Sequence, residues 1–197
     1  MTGSTKTRFD RRSLVAALLA RRGSSLVVGG LGASTWDLAA AGDHPGNVYL
    51  WGAMGLACSI GLGLALAQPD RRVVVITGDG EMMMGIGSLA AIANAPCINL
   101  AILVLDNQAF GETGQQMGLT AGSTDIRAMA EGAGIRKTIS PNGQDDIEKL
   151  GEFLFDEPGP ALAVAKTELS DDPLVLPTNN AAWMAEQFRQ AIGVASP

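Results

Sequence analysis

Apolar and polar positions alternate along this chain in blocks rather than residue by residue. Short, nearly continuous apolar runs read as strands: "SLVVGG" (25–30), "NVYLW" (47–51), "RVVVIT" (72–77), "INLAILVLD" (98–106) and "ALAVAKT" (161–167), with the more mixed "IRKTIS" (135–140) beside them. Between them the pattern predicts helices over 33–42, 52–68, 80–94, 124–132 and 143–155. An amphipathic first helix is expected over about 10–22, with Asp10 as its N-cap, and a last one over about 180–192 after a Pro-bearing tail. A Gly-rich loop fills 107–122. Strands with apolar side chains on both faces, separated by helices, make a mainly parallel sheet with a helical layer above and below. The expected architecture is therefore a three-layer α/β/α sandwich, with 1–197 as a single domain.

Composition changes that picture in one respect. Of the 197 residues, 47% are hydrophobic and only 17% charged, against about 25% charged in ordinary soluble domains. Too few charges remain to cover the surface, so part of it is expected to lie against other chains, in a homo- or hetero-oligomer. The net charge of -6, with no basic run, argues against nucleic acid as a partner. The most apolar window, 51–68, is rich in Gly and Ala and leads through "PDRR" into the next strand. It reads as a buried helix rather than a membrane span. Cys58 and Cys97 both fall in apolar segments, which reads as reduced thiols in a cytoplasmic protein. Two cysteines are too few to ligate an iron–sulfur cluster.

The chemistry gathers at two strand ends. Gly78-Asp79-Gly80 follows the strand 72–77, and Asp106-Asn107 closes the strand 98–106. Ligands of parallel α/β sheets bind at those carboxyl ends. Glycines let the backbone turn tightly and let a ligand approach. The following helix start offers free N–H groups to an anion. One carboxylate and one amide oxygen, completed by phosphate oxygens, suit a hard cation such as Mg²⁺ better than zinc. The stretch thus has the makings of a metal-bridged diphosphate site. Ser34 and Thr35, after the first strand, either contact the same diphosphate or cap the helix that follows. His44, in the turn "GDHPGN", reads as a surface loop residue. Met82, Met83 and Met84 read as packing.

These residues carry a resemblance. Gly-Asp-Gly followed at this spacing by Asp-Asn resembles the thiamine-diphosphate motif, and the blocks "GAMGLACSIGLGLALAQPDRRVVVITGDG" and "LDNQAFGETGQQ" are similar to the decarboxylase branch of thiamine-diphosphate enzymes, over about 25–170. The resemblance implies the thiamine-diphosphate-binding fold, with thiamine diphosphate and Mg²⁺ as cofactors. It assigns Asp79, Asn107 and the carbonyl of Ala109 to the metal. Gly78, Gly80, Glu81 (through its backbone only) and Gly111 become cofactor contacts. It makes Met54 the apolar wedge between the two cofactor rings, and gives the carbonyl of Gly52 the 4′-amino group.

One part of the family's catalytic set is missing. The glutamate that activates the aminopyrimidine comes from a pyrimidine-binding domain, and neither Glu112 nor Glu131 matches its motif. The resemblance therefore implies a β-type subunit of a heteromeric 2-oxoacid decarboxylase, whose partner subunit supplies that glutamate and whose substrate is sulfopyruvate- or phosphonopyruvate-like. The alternatives are a non-catalytic thiamine-diphosphate-binding module or a subunit of another lyase or synthase of this class.

Overall fold

A computed structural model describes residues 8–194. Its main sheet contains β1 (Leu26–Gly29), β2 (Asn47–Tyr49), β3 (Val73–Gly78) and β4 (Leu100–Asp106). After a separate hairpin of β5 (Ala109–Phe110) and β6 (Gln116–Met117) come β7 (Lys137–Ile139) and β8 (Ala161–Lys166). The six sheet strands run in the order β2-β1-β3-β4-β8-β7, and every pairing between them is parallel.

Period-two alternation divides the strand side chains between two cores. Val27, Val74, Ile76, Leu103 and Ala163 enter one, with helices α1 (Arg11–Leu19), α2 (Ala33–Ala40) and, near the C-terminus, α7 (Ile147–Phe155). Val28, Val75, Ile102, Val104 and Leu162 enter the other. There they meet α3 (Ala57–Ala67), α4 (Asp79–Met84), α5 (Ser88–Ala93) and α6 (Ile126–Ala133). The expected three layers are present. A last helix, α8 (Ala181–Ala191), lies against the edge strand β2, sending Met184 to the first core and Phe188 and Ile192 to the second.

The chain leaves β1 through α2 on one face to reach β2, then returns through α3 on the other face to β3. β1 and β3 are neighbours, so their carboxyl ends flank the point where the strand order reverses. That crevice is where open parallel sheets bind ligands.

Several boundaries differ from the sequence expectation. The helix expected over 52–68 begins only at Ala57, because Ala53 and Gly55 take left-handed backbone angles (φ 58° and 90°). Its apolar surface is also only partly covered, with Leu66 exposed. The helix expected over 80–94 is two helices, α4 and α5, broken at Gly85–Gly87. There the 52–57 loop presses in so closely that a Cβ on Gly85 would stand 2.0 Å from the Gly55 carbonyl oxygen. The first helix stops at Leu19 rather than 22, and α7 starts at Ile147 after a 3-10 turn. The loop 107–122 contains the β5–β6 hairpin. Asp10 caps α1 as expected, its side chain accepting from the N–H of Ser13. Among the described residues no helix is long and apolar enough to cross a membrane.

Candidate functional site

β3 ends on Gly78, and Asp79 opens α4, so the Asp79 carboxylate stands at the carboxyl edge of the sheet. It is almost fully buried. Its Oδ2 accepts from the Thr120 hydroxyl at 2.8 Å, and the same hydroxyl lies 2.8 Å from Oδ1 of the equally buried Asp106. Asp106 is ion-paired with Lys166. Burial pushes the Asp79 pKa up; the Thr120 hydroxyl lowers it, and the nearby Asp106 charge raises it again. A carboxylate held against its preference for water in this way is one that a divalent cation would neutralise.

Asn107, one residue past β4, accepts from the N–H of Ala109 through its side-chain oxygen (2.9 Å). Gln108 takes a left-handed conformation (φ 64°), and its carbonyl accepts from Gly118 N at 2.7 Å. These contacts fold the hairpin back and bring Ala109 beside Asp79. The Asp79, Asn107 and Ala109 residues all line one cleft of about 790 Å³, a size typical of cofactor sites. Among the described residues no group of three or more His, Cys, Asp or Glu could hold a metal. A site here needs the mixed set of carboxylate, amide, carbonyl and ligand oxygens.

The remaining expected residues divide between the cleft and its surroundings. Ser34, Met54, Gly78, Gly80, Glu81 and Gly111 line it. Met54 reaches over the turn, its methyl 3.7 Å from where a Cβ on Gly80 would stand. Ser34 is buried at the wall, and no side chain caps α2, whose N-cap is Gly32. Thr35 is different: it is fully buried, and its hydroxyl donates to the Gly30 carbonyl (2.6 Å), with the Gly29 carbonyl 3.2 Å away. It ties the β1–α2 turn together and has no hydroxyl left for a ligand. Gly52 is exposed and is not among the residues lining the cleft. His44 accepts from Gly46 N through Nδ1 (2.9 Å) in its turn.

Glu81 turns its side chain into the protein. Oε2 accepts from Leu31 N (3.0 Å) and from the Thr77 hydroxyl (2.8 Å), so the carboxylate joins β3 to the β1–α2 loop. A Cβ on Gly30 would stand 1.8 Å from Oε2, so only glycine leaves room there. Burial raises the Glu81 pKa, opposed by the Thr77 and Leu31 hydrogen bonds. Oε1 is buried without a partner.

Sequence reasoning missed several features in and around the cleft. Thr120 carries no local signal, being one threonine at the end of a long loop. Trp36 donates to Glu112 (3.2 Å) and stacks edge-on with Trp51, ring centroids 5.3 Å apart. Arg11 and Arg12, at the start of α1, also line the cleft. So do Leu169, Ser170, Asp172 and Leu174, from a tail that reaches Trp51 through the Thr178 carbonyl (3.0 Å).

With this geometry in place, the class of protein is defined. The chain belongs to the thiamine pyrophosphate enzymes: residues 30–165 match the C-terminal TPP binding domain of that family. Its relatives narrow the class. It is 44% identical over 150 residues to the sulfopyruvate decarboxylase subunit beta of Methanothermobacter thermautotrophicus, covering 76% of this chain and 78% of that one. It is 36% identical over 203 residues to the phosphonopyruvate decarboxylase of Streptomyces viridochromogenes, covering 99% of this chain but only 50% of that protein. The benzoylformate decarboxylase structure from Polynucleobacter necessarius superposes with a TM-score of 0.70 at 17% identity, over 87% of this chain and 36% of that one. At that identity the superposition speaks for the fold alone.

Proposed function

We propose that this chain is the diphosphate-binding subunit of a thiamine-diphosphate 2-oxoacid decarboxylase. Its substrate class is a small 2-oxoacid carrying a second anionic group, as in sulfopyruvate or phosphonopyruvate. The observation that carries this is the convergence of Asp79, Asn107 and Ala109 on one cleft with Met54 and Ser34, at the reversal point of the sheet. The 44% and 36% identities to decarboxylases of those two substrates support the class.

Within this reading, Asp79, Asn107 and the Ala109 carbonyl would hold Mg²⁺, which would neutralise the diphosphate charge. The N–H groups of Gly80 and Glu81, with Ser34, hold the diphosphate oxygens. When bound, the cofactor supplies a carbon nucleophile and an electron sink for loss of CO₂. Met54, on the cleft wall, would support the rings of the bound cofactor, and the Gly52 carbonyl is the expected acceptor for its 4′-amino group. Glu81 does not serve as the acid at the pyrimidine ring, because its carboxylate is committed to Leu31 and Thr77. That group comes from a pyrimidine-domain partner subunit. Exposed Leu56 before α3, Met84 at the end of α4 and Met117 in β6 fit a surface that another chain covers. The buried free thiols of Cys58 and Cys97 fit a reducing, cytoplasmic setting.

The test has two arms. Calorimetry of the purified chain with thiamine diphosphate should show binding that requires Mg²⁺ and is lost in Asp79→Ala. CO₂ release from sulfopyruvate and phosphonopyruvate should appear only when the chain is mixed with a pyrimidine-domain subunit. Unchanged affinity in Asp79→Ala would remove the metal assignment, and full activity of the chain alone would remove the half-site reading.

A further inference from the structure

The start of α1 is pinned to the carboxyl edge of the sheet. Phe9 N donates to the Lys166 carbonyl and Glu168 N to the Phe9 carbonyl, both at 2.9 Å. This places Arg11 and Arg12 beside α2, where both guanidinium groups reach one carboxylate. Arg12 Nε donates to Asp37 Oδ1 at 3.1 Å and Arg11 Nε to Oδ2. Asp37 is fully buried. Two cations therefore share a single anion.

The way the arginines bind is unusual for a purely structural tie. An arginine that only clamps a carboxylate commonly presents two nitrogens as a fork. Here each spends Nε alone on Asp37, and the η nitrogens of both have no hydrogen-bond partner among the described residues. Arg11 is nine-tenths buried, and both residues line the cleft shared with Ser34, Asp79, Gly80 and Asn107. Arg12 is partly exposed, and the spare donors of both arginines have no protein acceptor among those residues, so an anion entering the cleft would find charged donors held ready for it. Two other carboxylates line this cleft outside the metal side. Glu112 takes the Trp36 indole N–H and Asp172 takes the Ser170 hydroxyl, so each has a donor of its own.

We infer that Arg11 and Arg12 form an oxyanion subsite on the α1 wall of the cleft, shaped for a phosphate, phosphonate or sulfonate group. Asp37 aims the pair through Nε and leaves the η donors free to grip tetrahedral oxygens. The inference deepens the proposed function and rests on it for the source of the anion. That source is either the terminal phosphate of the cofactor or the second anionic group of the substrate.

The test uses Arg12, since Arg11 keeps Asp37 paired when Arg12 is changed. In the full chain, Arg12→Gln and Arg12→Lys are compared with wild type by calorimetry, using inorganic diphosphate with Mg²⁺ and then thiamine diphosphate. In the reconstituted two-subunit enzyme, KM is measured for phosphonopyruvate, sulfopyruvate and pyruvate. Loss of a charge-assisted contact should weaken the affected ligand about tenfold or more, with partial recovery in Arg12→Lys. If the cofactor is the source, affinities for diphosphate and thiamine diphosphate fall together. If the substrate is the source, cofactor affinity holds while KM rises for phosphonopyruvate and sulfopyruvate but not for pyruvate. Arg12-dependent binding of inorganic diphosphate by a chain that takes no thiamine diphosphate would leave the subsite standing and remove the functional reading. Arg12→Gln matching wild type within twofold on every ligand, with only its melting temperature lowered, would show a structural tie and overturn the inference.

Discussion

Thr120→Val is the sharpest test of how the metal-side wall is held together. The hydroxyl sits 2.8 Å from both Asp79 Oδ2 and Asp106 Oδ1 and is buried. A hydroxyl has one proton, so it can donate to only one of the two carboxylates. Asp106 is ion-paired with Lys166, whereas burial pushes the Asp79 pKa up. The single hydroxyl proton is therefore shared between the two buried carboxylates, each 2.8 Å away. Valine keeps the shape but deletes this charge-assisted hydrogen bond. Asp106 Oδ1 would retain only the N–H of Gln108 at 3.2 Å. Losing one hydrogen bond to a charged acceptor sets the expected destabilisation at about 1.5–3 kcal/mol. Urea unfolding of the metal-free chain, followed by far-ultraviolet circular dichroism, should show a lower midpoint at unchanged slope. Thr120→Ser, which keeps the hydroxyl, should retain most of the stability. A Thr120→Val chain within about 0.5 kcal/mol of wild type, the range of ordinary surface changes, would refute the bridged arrangement.

Two other predictions follow from Met54 in the cleft and from Cys58 in the core. Met54→Ala should fold normally, since Met54 is only partly buried, and in the reconstituted enzyme it should lower kcat about tenfold or more while moving cofactor affinity less; an unchanged kcat would return Met54 to ordinary packing. The Cys58 thiol is pushed up to about 12 by burial, so above pH 9 the folded chain keeps a proton that the unfolded chain gives up. Stability should then fall as pH rises through that window, by up to about 1.4 kcal/mol per unit from this group. Denaturation at pH 8 and 10.5 in reducing buffer measures the slope, and Cys58→Ala should flatten it; equal slopes in the two proteins would count against the buried thiol.

Much of the molecule was legible because its signals are local. Val73–Ile76 and Leu100–Leu105 are apolar on both faces, and that alone requires helices on both sides of the sheet. Gly-Asp-Gly and Asp-Asn each follow such a run directly, so their place at the carboxyl edge comes from chain order. The family resemblance resided in the same contiguous blocks. What the sequence could not declare depends on residues far apart in the chain. The break in the helix expected over 80–94 arises where the Gly55 backbone meets Gly85, 30 positions on. Thr35 and Ser34 are adjacent letters with similar chemistry, yet one hydroxyl is used inside the β1–α2 turn and the other residue lines the cleft. Glu81, assigned to the cofactor through its backbone only, has a pocket for its carboxylate in the loop around Gly30, which its own neighbours in the chain do not announce. Thr120 joins Asp79 across 41 positions and Arg11 joins Asp37 across 26. Periodicity and strand-end motifs record what a segment does with its own neighbours. Hydrogen-bond partners and close backbone contacts across the cleft are set only when the sheet order brings β1, β3 and β4 side by side, because hydrogen bonding and steric exclusion act over a few ångströms of space and not along the chain.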